Sequence, residues 1–181
     1  MAIAGGSLAR LAYIAEVTYG TTPATPAFQV INPTSHSIGL EKETFQSETI
    51  RSDRQLNDFR HGVRQASGDI GIEFRDASWD DLLQAVMMGT WSTDVLKAGT
   101  TRRSFTIERF FSDITRYRRA VGCEFNSFSL ECPATGPVTG SFSVIGMDDT
   151  GSGTAIASST YTADPNENIM SSDGGQITVG G

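Results

Sequence analysis

Ser47–Phe74 reads SETIRSDRQLNDFRHGVRQASGDIGIEF, two strands joined by a charged arm longer than a tight hairpin needs. In its second half Ile70, Ile72 and Phe74 share one parity and Asp69, Gly71 and Glu73 the other, the period-2 pattern of a half-buried strand. Leu40–Ile50 alternates in the same way, more weakly. Between these runs stand Arg51, Asp53, Arg54, Asp58, Arg60 and Arg64, interleaved with Leu56 and Phe59. Hairpin loops usually take about two to five residues, and longer ones in compact domains tend to be functional or disordered. Both signs of charge beside two large apolar side chains suit a protein partner; the alternative is a solvated, mobile loop.

Working outward, 181 residues make one domain that buries roughly two thirds of its unfolded surface. Nineteen glycines, only 19% charged residues and frequent Ser and Thr fit short strands joined by turns better than a helical bundle. Cys123 and Cys132 fall within one apparent strand, which would separate them by about 30 Å and argues against a disulfide. Two unpaired cysteines fit a reducing cytoplasm. No apolar run approaches the roughly 20 residues of a membrane helix, and Met1–Arg10 lacks the basic start and apolar centre of a signal peptide.

The net charge of -7 is unevenly spread: all 14 Lys and Arg lie in residues 1–119, and the chain beyond them carries acids and no base. Bulk charge therefore argues against a nucleic-acid-binding face. The local exception is Arg102–Arg119, six arginines interleaved with Phe105, Phe110, Phe111 and Tyr117. That pattern fits a single-strand binding surface, or strands whose aromatics are core and whose arginines face solvent or a subunit.

In chain order, Leu8–Tyr19 has mixed periodicity, Gly20–Pro26 is extended because Pro23 and Pro26 restrict the residues before them, and Phe28–Ile31 and Ser37–Leu40 read as short strands. One helix is expected: Ser78 as N-cap, Asp80 and Asp81 in the first turn, an apolar stripe of Trp79, Leu82, Leu83, Val86 and Met87, and Gly89 as its end. Ser104–Phe111, Ile114–Val121, Gly122–Cys132 and Thr139–Met147 read as successive strands. Cys123 and Phe125 have one parity and Phe128, Leu130 and Cys132 the other, so the strand is buried on both faces or a bulge near Asn126 resets it. Phe142 and Val144 mark the inward face of the next strand. Asp148–Ser159 reads as a flexible loop. The expected organisation is a single domain over 1–181, with an extended N-terminal arm at 1–36 and a flexible part at 148–181. Because the sequence stops just after a candidate strand, Gln176–Val179, further strands are expected beyond it.

Nothing in the sequence points to catalysis, a cofactor or a metal. His36 and His61 are isolated, and neither a Gly-x-Ser-x-Gly elbow nor a phosphate-cradling glycine loop is present. The adjacent carboxylates Asp80/Asp81 and Asp148/Asp149 suit a helix start and a solvated turn.

Four blocks, LAYIAEVTYGTTPATP (11–26), SETIRSDRQLNDFRHGVRQASGD (47–69), WDDLLQAVMMGTW (79–91) and SFTIERFFSDITRYRRAVGCEFNSFSL (104–130) followed by 139–146, together make the chain resemble the tail tube proteins of long-tailed, non-contractile bacteriophages. The resemblance implies a mainly β fold, two packed antiparallel sheets in a β-sandwich or barrel-like core with one flanking α-helix and a long charged loop. It implies a structural virion protein, made in the bacterial host cytoplasm, that self-assembles into stacked hexameric rings. The rings form the conduit for genome ejection and meet other tail proteins such as the tape measure, tail terminator and distal tail proteins. Double-stranded DNA would pass through the lumen without specific binding, and no membrane is involved. Carried onto this chain, Arg51, Asp53, Arg54, Leu56, Asp58, Phe59 and Arg60 would make inter-subunit contacts, fixing register more than affinity. Asp69 and Glu73 are candidate lumen-facing acids, because a conduit that neutralised phosphates would hold its cargo. A tail-tip carbohydrate- or receptor-binding β module is the alternative, and exposed aromatic platforms would favour it.

Overall fold

The computed structural model describes residues 8–47, 59–165 and 168–173. Within them run β1 (Ala9–Ala15), β2 (Ala27–Ile31), β3 (Ser35–His36), β4 (Gly39–Gln46), β5 (Phe59–Glu73), α1 (Asp80–Val86), β6 (Phe105–Phe111), β7 (Arg116–Glu131), β8 (Thr139–Gly146), β9 (Asp148–Ser152) and β10 (Thr160–Thr162). A first sheet is ordered β10-β2-β1-β6-β7, with β9 on the far side of β7. A second is ordered β7-β8-β5, with β3 and β4 following one another along the far side of β5. All pairings are antiparallel except β10 with β2.

β7 joins the two layers, its first half in one sheet and its second half in the other. What reads in the sequence as two strands is one, bent where Gly122 takes φ +62 and bulged at Asn126, between the Phe125 and Ser127 pairings. The extra residue flips the parity of everything after it, which is why Phe125 and Phe128 both reach the core. There Phe142 stacks on Phe128 at 4.5 Å and meets Phe125 edge-on at 5.6 Å. Leu11, Tyr13, Phe105 and Ile107 close the core from the first sheet, Ala66, Ile70, Ile72 and Val144 from the second.

The helix is shorter than its stripe predicts. Trp79 takes the N-cap position, and Ser78 is drawn away by Asp164, to whose Oδ1 its hydroxyl donates at 2.6 Å. Trp79 and Leu82 are fully buried, Leu83 and Val86 partly, while Met87 is exposed. Leu82→Asp is therefore expected to yield no soluble folded protein, because an unpaired buried carboxylate costs several kcal/mol against a total of about 5–15. Leu83→Asp should stay folded with a lowered melting temperature; equal melts for the two variants would contradict this packing.

Three further expectations change. β5 begins at Phe59, so Phe59–Arg64 are strand, laddered to Lys42–Gln46, and not part of a loop. Within 1–36, expected as an extended arm holding one short strand at Phe28–Ile31, the described residues form β1, β2 and β3. Within 148–181, expected as a flexible part with a loop at Asp148–Ser159, the described residues form β9 and β10.

Candidate assembly surfaces

The second sheet has one face on the core and one in solvent. Its solvent face follows from the register: Asp69 opposite Ser143 opposite Ser127, then Gly71, Ser141 and Ser129, then Glu73, Thr139 and Glu131. Asp69 is exposed; Glu73 is half-exposed and 3.9 Å from Arg75. These rungs carry three acids, small hydroxyl side chains and no base.

Its lateral edges are β4 on one side and the second half of β7, from Glu124 to Glu131, on the other. Among the described residues no strand pairs with either. The opposite flank of the sandwich is treated differently: there β9 lies along β7, held by a buried ionic cluster. The Asp149 side chain has no solvent exposure and accepts hydrogen bonds from Arg109, itself almost buried, and from Arg118 at 2.8 Å. Arg109 also donates to the carbonyl of Ile38, and Arg64 pairs with Asp148 at 2.8 Å. On the other face of β6, buried Glu108 accepts from Arg119 at 2.8 Å and from the Tyr161 hydroxyl at 2.7 Å. The Arg10 guanidinium lies 3.6 Å from the centre of the Tyr161 ring.

These bonds correct the reading of Arg102–Arg119. Arg109, Arg118 and Arg119 are bound to carboxylates of their own chain, and Arg102 grips Glu124 with a bidentate pair. Sequence reasoning missed Asp149 because Arg109 and Arg118 lie far from it along the chain, and Glu108 because its place opposite Arg119 depends on the β6–β7 register. The only local signal was an arginine-rich strand pair needing acids.

Phe59 and Arg60 sit at the far end of the β4–β5 ribbon, where β5 has run past the end of β8. Arg51, Asp53, Arg54, Leu56 and Asp58 lie outside the described residues. The ribbon shows Phe45, Phe59 and Val63 to solvent, and Phe45 lies so close over Gly62 that a Cβ there would stand 2.3 Å from its ring. Isolated two-stranded ribbons are marginally stable in water, and one bearing three exposed apolar side chains suits a partner.

Chemistry is sparse. Among the described residues no group of three His, Cys, Asp or Glu is placed to hold a metal. Burial, with Glu16 and Asp149 nearby, pushes the Cys123 thiol up to about 12, so it stays protonated at neutral pH. Burial and then Asp81 raise the Tyr13 hydroxyl; burial and then Arg109 hold half-buried His36 below its ordinary value.

A family model described as phage tail tube protein matches residues 6–181. No curated protein matches the chain. Among solved structures, the SPP1 tail tube is similar with a TM-score of 0.58 at 14% identity, over 86% of this chain and 82% of that one. A chain of the native gene transfer agent virion gives 0.52 at 15%, over 83% and 98%. A chain of the anti-feeding prophage baseplate gives 0.55 at 9%, over 84% and 97%. At these identities the likeness is one of fold.

Proposed function

The chain belongs to the phage tail tube protein family, structural, tube-forming components of the virion tail, and we propose that its second sheet closes with copies of itself into a ring. The observation that carries this reading is a sheet with two edges to which, among the described residues, no further strand is paired, and an outer face whose rungs hold no base. Each copy offers four lanes: β3 with β4, then β5, β8 and β7. Four is even, so setting β7 of one copy against β4 of the next continues the antiparallel alternation round any closed ring. Ring number then decides the bore. With strands about 4.8 Å apart and tilted about 40°, six copies give a backbone diameter of about 48 Å, and three about half that, mostly filled by side chains. The hexameric ring is the reading that leaves a conduit.

On this reading Asp69, Glu73, Glu131 and the serine rungs line the bore. They present a passing duplex with no base to release counterions from its phosphates, so stacked rings do not add up to drag. Phe59, Arg60 and the segment from Arg51 to Asp58 reach a neighbouring copy. Assembly takes place in the host cytoplasm, and the tape measure, terminator and distal tail proteins meet the same tube. No catalytic role is assigned. The carbohydrate-binding alternative needs open aromatic platforms: Tyr19, Phe45 and Phe59 are exposed, whereas Phe110 and Tyr117 stack on each other at 4.4 Å and Tyr161 is covered by Arg10.

The test is electron microscopy of purified protein, expected to show rings and tubes, joined to a DNA sedimentation assay. Wild-type tubes assembled with duplex DNA should not retain it at moderate salt. Ser141→Lys with Ser143→Lys should retain it, with binding that falls steeply as salt rises. Retention by wild type, or none by the lysine variant, would place this face elsewhere than the bore.

A further inference from the structure

Register turns two polar side chains toward the space between the layers. His36 stands opposite Ile70 across the β3–β5 pair, and directly opposed residues of an antiparallel pair share a face. Its imidazole is therefore on the core side that Ile70 occupies, not on the serine face. From the other layer β6 directs Arg109 inward, on the parity of Phe105 and Ile107. The Arg109 guanidinium is pinned there, because Asp149 accepts from it and so does the carbonyl of Ile38, two residues beyond His36. It is the charged group that acts on His36.

Two buried nitrogens in this region have no partner, Nε of Arg109 and Nδ1 of His36. They are complementary only while the imidazole is neutral, when Nδ1 accepts and the Nε–H donates. A second proton on the ring makes Nδ1 a donor and sets a positive charge beside a fixed cation. The neighbouring elements offer no uncommitted acid toward the ring. On β5 the inward residues are Ile70 and Ile72, and Asp69 lies on the solvent face; on β1 Leu11 is inward, while Arg10 pairs with Glu108 on the outer face of the first sheet. Asp149 of β9 is already shared by Arg109 and Arg118. A cleft lined by His36 with Arg10, Asn32 and Thr34 gives a proton access to the half-buried ring.

We infer that His36 and Arg109 form an acid-sensitive latch: taking up a proton at His36 parts β3 from β5 and loosens the lane that leads into β4. Burial and then Arg109 already hold the imidazole below its ordinary value. The unfolded chain therefore takes the proton more readily, so the latch is fully closed above about pH 6.5 and weakens as the pH falls from there through the folded-state value. Because β3 with β4 makes one lateral edge of the second sheet, acid should also open the joints of a ring. That consequence rests on the ring reading, whereas the latch itself belongs to the single chain.

Hydrogen exchange of the monomer tests it. The Thr34 and Ser37 amides flank His36 and donate to the Gly71 and Asp69 carbonyls at 2.8 and 2.9 Å. Their protection is expected to fall at least about threefold between about pH 7.5 and about pH 5.5, while that of the β8 amides holds. His36→Asn, which keeps a neutral acceptor near the place of Nδ1, should lose this response, and His61→Asn should keep it. An NMR titration of the wild-type chain, which needs no variant, should place the His36 midpoint below about 6.5. A midpoint at or above that value, level protection in wild type, or an equal loss in His36→Asn would each overturn the latch. In assembly, wild-type rings should come apart at the lower pH and His36→Asn rings persist. Absence of rings at both pH values would count against the ring reading alone, since the exchange result decides the latch without them.

Discussion

Asp149→Ala is expected to lower the melting temperature by about 6–20 °C. The substitution leaves the Arg109 guanidinium buried between the layers with only the Ile38 carbonyl to accept from it. Breaking a buried pair by removing one partner costs about 3–5 kcal/mol, and each kcal/mol moves the melting of a chain this long by about 2–4 °C. Removing both charges should behave differently. Arg109→Met with Asp149→Leu takes away the desolvation penalty together with the attraction and is expected to recover most of the loss, since Arg118, 42% exposed, can turn to water. Thermal melting by circular dichroism checks both. A single variant that melts like wild type would mean that solvent reaches Arg109.

If the ionic cluster adds little net stability, its use lies in where it puts the chain. Arg109 and Asp149 keep a polar, glycine-containing strand, Asp148–Ser152, against Tyr117–Val121, sealing one flank of the sandwich. Glu108, under Arg119 and Tyr161, does the same near β10. Open sheet edges invite unplanned pairing. β9 and β10, the outermost strands of the first sheet, are short, and among the described residues the longer edges with no strand paired to them, β4 and the second half of β7, belong to one sheet.

The core was legible in the sequence because alternation reports burial on one face. Ile70, Ile72, Phe142 and Val144 all point inward as their parity requires. The change of parity in β7 located the bulge at Asn126. What the sequence hid were strands whose order does not come from a buried apolar face. Phe59–Gln65 is exposed on both sides and so carries no amphipathic period. Asp148–Ser152 is ordered by ion pairs that close only in three dimensions, and its Gly and Ser content reads as a turn. Ser78 looked like a helix cap because nothing nearby announces Asp164. Of the proposed contact residues, Phe59 and Arg60 are placed on the ribbon. The acids Asp69 and Glu73 do share one face, but the serine rungs beside them emerged only from the β5–β8–β7 register.

Blocking either edge of the second sheet should abolish rings while leaving the monomer folded. Asn126 is the extra residue of the β7 bulge and has no partner on β8. Proline is tolerated at bulges and on edge strands, so Asn126→Pro should cost the fold about 1 kcal/mol or less while removing an edge donor and adding bulk where a neighbour would pair. On β4, successive residues alternate in whether the amide faces β5 or the open side. Glu41→Pro and Lys42→Pro should therefore split, one melting like wild type and one not, and the variant that keeps its melt is the edge block. Because a ring joint takes β7 from one copy and β4 from the next, each variant retains one good edge, and neither can pair with its own kind. Light scattering should find monomers in each alone. An equal mixture should give dimers and nothing larger, since one copy's intact β7 meets the other's intact β4 and both outer edges are then blocked. Rings from either variant alone would show that the joint lies elsewhere, and monomers in the mixture would show that β4 and β7 are not each other's partners.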